Sequence, residues 1–135
     1  DLEPCEFMAK NVWWRGIADL VIMDGTTAWV IDYKTSKSAK YADKGQLELM
    51  AMATFKYFPE VKQVHAGLVF VVAKKFVKEK YTDDMQPALW DKWLANYKHM
   101  EVAYKEDEWN VNVLDVSMTR RALTVKVKMF HTTKP

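Results

Sequence analysis

Three charged residues, Asp19, Asp32 and Lys34, stand on two stretches of the chain that are apolar enough to predict buried strands. Carboxylates that meet in a buried sheet repel each other and lose hydration, so one of them would tend to hold its proton. A divalent cation removes this conflict, because Mg²⁺ and Mn²⁺ prefer oxygen ligands. A lysine beside them could orient or deprotonate a water, or stabilise a developing negative charge. Such a set of groups is suited to phosphodiester hydrolysis.

A hairpin would bring the three residues together. The predicted strands run from Trp13 to Met23 and from Ala28 to Thr35, and the Asp-Gly pair between them is a strong hairpin signal. If Gly25 and Thr26 are the turn residues, the two aspartates lie directly opposite each other; if the turn starts one residue earlier, they lie diagonally. Both registers place the aspartates and the lysine on one face, because side chains alternate along a strand. A three-residue loop would separate them.

The other elements complete an α/β pattern. We predict a short strand, a helix, a central strand, an edge strand, a long helix and a last strand, at Glu6–Met8, Asp43–Phe58, Val64–Ala73, Lys75–Tyr81, Asp83–Tyr104 and Ala122–Phe130. The central strand is nearly all apolar, which predicts a strand covered on both faces and parallel to a neighbour. The expected fold is a mixed central sheet flanked by helices, joined by a right-handed crossover.

Length and composition limit the possible functions. The 135 residues fit one domain, in which 106–135 form a tail without a clear pattern, and the start at Asp1 leaves open a missing N-terminal element. The net charge of +2 means that nucleic-acid binding must rest on local patches. The single cysteine, Cys5, excludes an internal disulfide or a four-cysteine metal site. No apolar run is long enough for a membrane span. We therefore expect a cytoplasmic protein without a membrane partner.

Three motifs together resemble a known family. "GIAD" (residues 16–19), "VIDYKT" (30–35) and "GQLELMAMATF" (45–55) are similar to the PD-(D/E)XK nucleases, and most closely to their RecB-like, phage-type exonuclease branch. The resemblance covers roughly half of the chain, from Val12 to Ala73. It implies a restriction-endonuclease-like core that cleaves DNA with Mg²⁺ or Mn²⁺, in the host cytoplasm if the chain is phage-encoded.

The resemblance also implies residue roles. Asp19 and Asp32 would bind the metal together with the backbone carbonyl of Tyr33, Lys34 would position the attacking water, and Gln46 would support the site. Lysines that flank the site could contact phosphates, as could an arginine on the predicted active face. These candidate nucleic-acid-binding residues are Arg15, Lys37, Lys40 and Lys44. A solvated loop explains the lysines equally well.

Two departures from the family pattern keep alternatives open. Relatives often carry a tyrosine where this chain has Met50, and many bring an acidic residue from an upstream helix, for which Glu3 and Glu6 are the candidates. The chain could therefore be a nuclease-fold protein that binds nucleic acid without cutting it, or an endonuclease or resolvase of the same superfamily. An unrelated α/β domain, in which Arg15 or Lys34 pairs with the aspartates structurally, is a third possibility. Polarity of digestion, strand preference, DNA versus RNA and oligomeric state stay open.

Overall fold

The computed structural model describes residues 14–40 and 42–106, with the backbone alone described at 106. In chain order the elements are β1 (Leu20–Asp24), β2 (Thr27–Lys34), α1 (Lys44–Tyr57), β3 (Gln63–Phe70), β4 (Lys75–Thr82), a 3₁₀ turn (Asp83–Met85) and α2 (Gln86–Glu106). The predicted strands at Glu6–Met8 and Ala122–Phe130, and the tail after residue 106, lie outside the described residues. The helices and the edge strand lie where they were predicted, within a few residues.

The four described strands form one mixed sheet in the order β1-β2-β3-β4. β1 pairs antiparallel with β2, and β3 pairs antiparallel with β4, while β2 and β3 are parallel. Two parallel neighbours cannot be joined by a tight turn, and α1 supplies the crossover between them. The mixed α/β sheet and the parallel partner of the central strand are therefore confirmed.

The first strand is shorter and more exposed than predicted. It begins at Leu20 rather than Trp13, and residues 14–18 have no regular structure. If β1 continued toward the N-terminus, the N–H of Tyr33 on β2 would donate to its backbone. That N–H donates to the side chain of Asp19 instead, and the pairing of β1 with β2 stops there. The strand was expected to be buried, yet Ile22 is 45% exposed, because β1 is the edge strand among those described.

Helix α1 begins and ends at recognisable signals. The Asp43 side chain caps it by accepting a hydrogen bond from the N–H of Gly45 at 2.8 Å, which satisfies one of the free donors of the first turn. At the other end, the N–H of Phe58 bonds to the carbonyl of Thr54, and Pro59 follows. These caps fix where the first turn of α1 lies relative to the end of β2.

One hydrophobic core lies between the sheet and both helices. It is made of buried side chains from β2, β3, β4, both helices and the connection between α1 and β3, among them Val30, Leu68, Leu47, Met52 and Leu89. All its β2 and β3 members lie on a single face of the sheet, because they alternate along each strand.

The central strand was predicted to be covered on both faces, and the described residues confirm this for the core face. Both helices pack on the core face, and no described helix covers the other. β3 also ends at Phe70 rather than Ala73, because residues 71–74 turn into β4 with Lys74 at φ 51°. Neither described helix is long and apolar enough to cross a membrane.

Candidate active site

The hairpin turn sets the register of the site. Asp24 pairs with Thr27, so Gly25 and Thr26 are the two central residues of the turn. Gly25 has a φ of 57° and is the first of them, as in a type II′ turn, where glycine avoids the clash that a Cβ would suffer. Leu20 pairs with Ile31, so the same register extended by one residue places Asp19 opposite Asp32. It is the first of the two predicted registers.

Asp19 lies just before β1 and is held by the backbone of β2. Its Oδ2 accepts a hydrogen bond of 2.7 Å from the N–H of Tyr33. The N–H and C=O of one strand residue point to the same side, so the Tyr33 carbonyl also points toward the open end of β1. Asp19 itself is exposed to solvent. The carboxylate and the carbonyl named in the prediction therefore lie at the same edge of the sheet.

A glycine close to Asp19 allows an aromatic ring to fold over the chain. The ring of Trp14 lies where a Cβ on Gly16 would stand, so a larger residue there would displace the ring. Trp14 also packs against the hydrophobic core. The glycine of the "GIAD" motif thus has a steric reason in this chain, independent of any catalytic role.

Asp32 is the buried member of the pair, with only 9% of its surface exposed. Its Oδ2 accepts two hydrogen bonds, from Lys34 Nζ at 2.7 Å and from Gln46 Nε2 at 3.1 Å. Lys34 reaches it along the same strand, two residues on, and Gln46 reaches it from the first turn of α1. The predicted residues Asp32, Lys34 and Gln46 therefore meet at one carboxylate oxygen.

The electrostatics of the pair show the conflict expected for two neighbouring carboxylates. Burial raises the pKa of Asp32, the ion pair and hydrogen bond with Lys34 lower it, and the hydrogen bond and charge of Asp19 raise it again. The net direction is upward, because desolvation is the largest of these effects. Lys34 therefore only partly offsets the free-energy cost of ionising Asp32 in its buried position.

The donor set fits a hard divalent cation. Asp19 and Asp32 supply carboxylate oxygens, and the Tyr33 carbonyl points toward the same edge. Oxygen donors of this kind suit Mg²⁺ or Mn²⁺, and a positive ion there would relieve the repulsion that raises the pKa of Asp32. Across residues 14–40 and 42–106, no three acidic, histidine or cysteine side chains come together as a metal site. The candidate upstream acids, Glu3 and Glu6, lie outside the described residues.

The predicted nucleic-acid-binding residues are spread more widely. Lys37 and Lys40 are exposed on the loop after β2, and the N–H of Lys40 bonds to Ser38 Oγ. Lys44 Nζ forms an ion pair of 3.1 Å with Glu79 on β4. Arg15 is half-buried in the irregular segment before β1, so the strand alternation that placed it on the active face does not reach it.

Sequence reasoning missed how α2 supports the start of α1. The rings of Trp93 lie over Gly45, the second residue of α1, and Trp93 Nε1 donates to Glu48 Oε2 at 2.9 Å. Lys92 also pairs with Glu48 at 2.7 Å. These contacts hold the helix turn that carries Gln46. The contacts join a Glu in one helix to a Lys-Trp pair 44 and 45 residues later in the chain. No sequence motif marks a separation of this length.

Comparison of the chain with models of protein families, with curated proteins and with solved structures found no match.

Proposed function

We propose that this chain is a metal-dependent deoxyribonuclease of the PD-(D/E)XK type, and that it removes nucleotides from DNA ends. The observation that carries the proposal is the meeting of Lys34 and Gln46 at the buried carboxylate of Asp32, with Asp19 beside it. The two aspartates and the lysine are the acidic and basic positions of the family motif. The choice of an exonuclease rests on the resemblance to the RecB-like branch alone.

In the proposed reaction, Asp19, Asp32 and the Tyr33 carbonyl would hold Mg²⁺ or Mn²⁺. The bound ion would lower the pKa of a water and offset charge on the phosphate. The N–H of Tyr33 fixes the Asp19 carboxylate, and Gln46 fixes the Asp32 carboxylate, so neither needs to reorganise when DNA binds. The ammonium of Lys34 lies beside Asp32, where it can orient a water or stabilise negative charge as the phosphodiester opens.

The proposed partner is DNA, reached in the cytoplasm, or in the host cytoplasm for a phage protein. Arg15, Lys37, Lys40 and Lys44 are the proposed phosphate contacts. The ion pair of Lys44 with Glu79 is exposed and would exchange for a phosphate at little cost. Such contacts give affinity without sequence choice.

A second candidate function is DNA binding without cleavage by the same fold. It is favoured by one observation, the identity and burial of the residue one helix turn after Gln46. The position where relatives often carry a tyrosine is occupied by Met50, which is buried in the core one helix turn after Gln46 and does not reach solvent.

The test is digestion of linear DNA labelled at one end, with Mg²⁺ or Mn²⁺, beside the same reaction in EDTA. We expect metal-dependent loss of terminal nucleotides, abolished in Lys34→Ala and retained in Lys98→Ala, which removes an exposed lysine of α2. Cutting of closed circular DNA would replace the exonuclease by an endonuclease. DNA binding without any cutting, in a folded protein, would favour the second candidate. Absence of both cutting and metal binding would contradict the proposal.

A further inference from the structure

The face of the sheet opposite the core carries aromatic and basic side chains. We call it the open face, and it is defined by Trp29, Tyr33, His65, Phe76, Lys78 and Lys80. The strand registers place these residues on one side, since Trp29 is level with His65, and His65 with Lys80. Within the described residues no helix covers this face. Its side chains are distinct from those of the proposed cleavage site, whose Asp32 and Lys34 belong to the core face, and only the backbone of Tyr33 is shared with that site.

The aromatic rings of the open face are accessible and ordered against the sheet. Trp29 and His65 are stacked, with ring centroids 4.1 Å apart and an angle of 16° between the planes. The ring of Phe76 lies over Gly67 of the neighbouring strand, where a Cβ would collide with it. Tyr33 is 49% and Phe76 is 48% exposed, so both rings present apolar surface to solvent. The face therefore offers preformed flat surfaces to a ligand.

Positive charge lines one border of these rings. Lys78 and Lys80 are exposed on β4, on the same side as His65. Burial lowers the pKa of His65, and the charges of Lys80 and Lys78 lower it further. Asp24 lies on the same side of the sheet but on β1, at the opposite edge, so the part of the open face formed by β3 and β4 is positively charged. Its charge complements an anionic ligand.

We infer that the open face binds single-stranded nucleic acid. Bases have flat apolar faces that stack on exposed aromatic rings, and the phosphates between them need cations alongside, which is the arrangement of Tyr33 and Phe76 with Lys78 and Lys80. A duplex would not fit as well, because its bases are already stacked on each other. An apolar protein partner would be poorly matched to the two lysines. The inference goes beyond the proposed cleavage, because it concerns a different face and needs no metal.

The test is binding of the full chain to a fluorescent 20-nucleotide single strand, as DNA and as RNA, measured by anisotropy in EDTA. The absence of metal separates binding at the open face from cleavage. The variants are Tyr33→Ala, Phe76→Ala and the pair Lys78→Ala with Lys80→Ala. The matched control is Lys75→Ala with Lys98→Ala, which removes two exposed lysines from the other side of β4 and from α2.

We expect each aromatic substitution to weaken binding about 5- to 160-fold, the range found when a ring that stacks on a base is removed. The open-face lysine pair should make the dependence of log Kd on log salt shallower by about 1.4, or about 0.7 per lost phosphate contact. The control pair should leave this slope nearly unchanged. In NMR, bound nucleic acid should raise the pKa of His65, because phosphates offset the charges of the lysines.

Three results would overturn the inference. They are no binding at low salt, equal losses in the control pair and the open-face pair, or unchanged binding in both Tyr33→Ala and Phe76→Ala. The first would mean that the open face has no affinity for nucleic acid. Binding of either DNA or RNA with the expected variant pattern supports it.

Discussion

The carboxylate of Asp19 accepts a hydrogen bond of 2.7 Å from the backbone N–H of Tyr33, and this bond joins the two motifs of the hairpin. It replaces the backbone partner that β1 would otherwise supply, so the strand ends where the site begins. The bond also holds the Asp19 carboxylate beside Asp32, and Asp19 raises the pKa of Asp32. The end of a strand ladder thus places an acidic side chain at an exposed edge of the sheet.

Removing the charge of Asp19 should abolish metal-dependent stabilisation without unfolding the protein. Asp19→Asn keeps a side-chain oxygen that can accept from Tyr33, but it loses the negative charge that attracts a cation. We expect Mn²⁺ at 100 times its Kd to stabilise the wild type by about 2.7 kcal/mol. In Asp19→Asn this gain should largely vanish, while Asp91→Asn, at an exposed helix position, should retain it. Thermal unfolding with and without Mn²⁺ measures this stabilisation. Equal stabilisation of Asp19→Asn and Asp91→Asn would contradict metal binding by Asp19.

The pH dependence of stability should distinguish a site carboxylate from a structural ion pair. The pKa of Asp32 is raised in the folded protein by burial, so folding favours its neutral form. Its contribution to stability is fully present below the pKa of the unfolded chain, about 3.9, and is lost as the pH rises through the folded-state pKa. Asp32→Asn removes this dependence.

We therefore expect the free energy of unfolding of Asp32→Asn to improve relative to the wild type as the pH rises from about 4 to neutrality. Urea unfolding at a series of pH values, in EDTA, measures this difference. The variant should also be inactive, as expected where a buried charge is kept for function at the expense of stability. If the free energy of unfolding of the wild type instead increases relative to that of Asp32→Asn as the pH rises, the ion pair with Lys34 outweighs the burial of Asp32. The cluster would then be structural.

Loss of the Gln46 side chain should affect cleavage more than a matched loss elsewhere. Gln46→Ala removes the amide that fixes Asp32 Oδ2, and outer partners of this kind typically contribute 10- to 100-fold to activity at metal sites. Gln86→Ala removes a similar amide-to-carboxylate bond, to Asp83 Oδ1, far from the site in sequence. Rates of DNA digestion, with circular dichroism to check folding, compare the two. Similar rates for both variants would mean that Gln46 acts only on stability.

The hairpin turn should be sensitive to a side chain at Gly25. Gly25→Ala places a Cβ on a residue with a φ of 57°, and we expect it to cost about 1 to 2 kcal/mol of unfolding free energy. Gly25→Asn should cost less, because asparagine tolerates this conformation better. Chemical denaturation of the wild type and the two variants measures the order of their unfolding free energies. Equal stability of wild type and Gly25→Ala would show that the turn rearranges at little cost.

The amino-acid sequence by itself predicted the hairpin, α1, the edge strand and α2, because these depend on local signals: the Asp-Gly pair, the run of helix-forming residues that ends before Pro59, and the apolar periodicity. It also predicted that Asp19, Asp32 and Lys34 share a site, since alternation and a two-residue turn leave few registers. Both registers of a two-residue turn gave that result, and only a three-residue loop would have separated the residues. The proximity of Gln46 came from the resemblance rather than from spacing.

Only the tertiary structure decided the rest, because it depends on contacts between residues far apart in the chain. β1 starts late because the Asp19 side chain takes a backbone donor on another strand. The first turn of α1 is held by Trp93, which lies 48 residues after Gly45. Burial of Asp32, which sets the direction of its pKa, follows from packing of α1 on the sheet. Which face of the sheet the helices cover is likewise a matter of tertiary packing, because apolar residues on both faces make the two choices look alike in the sequence.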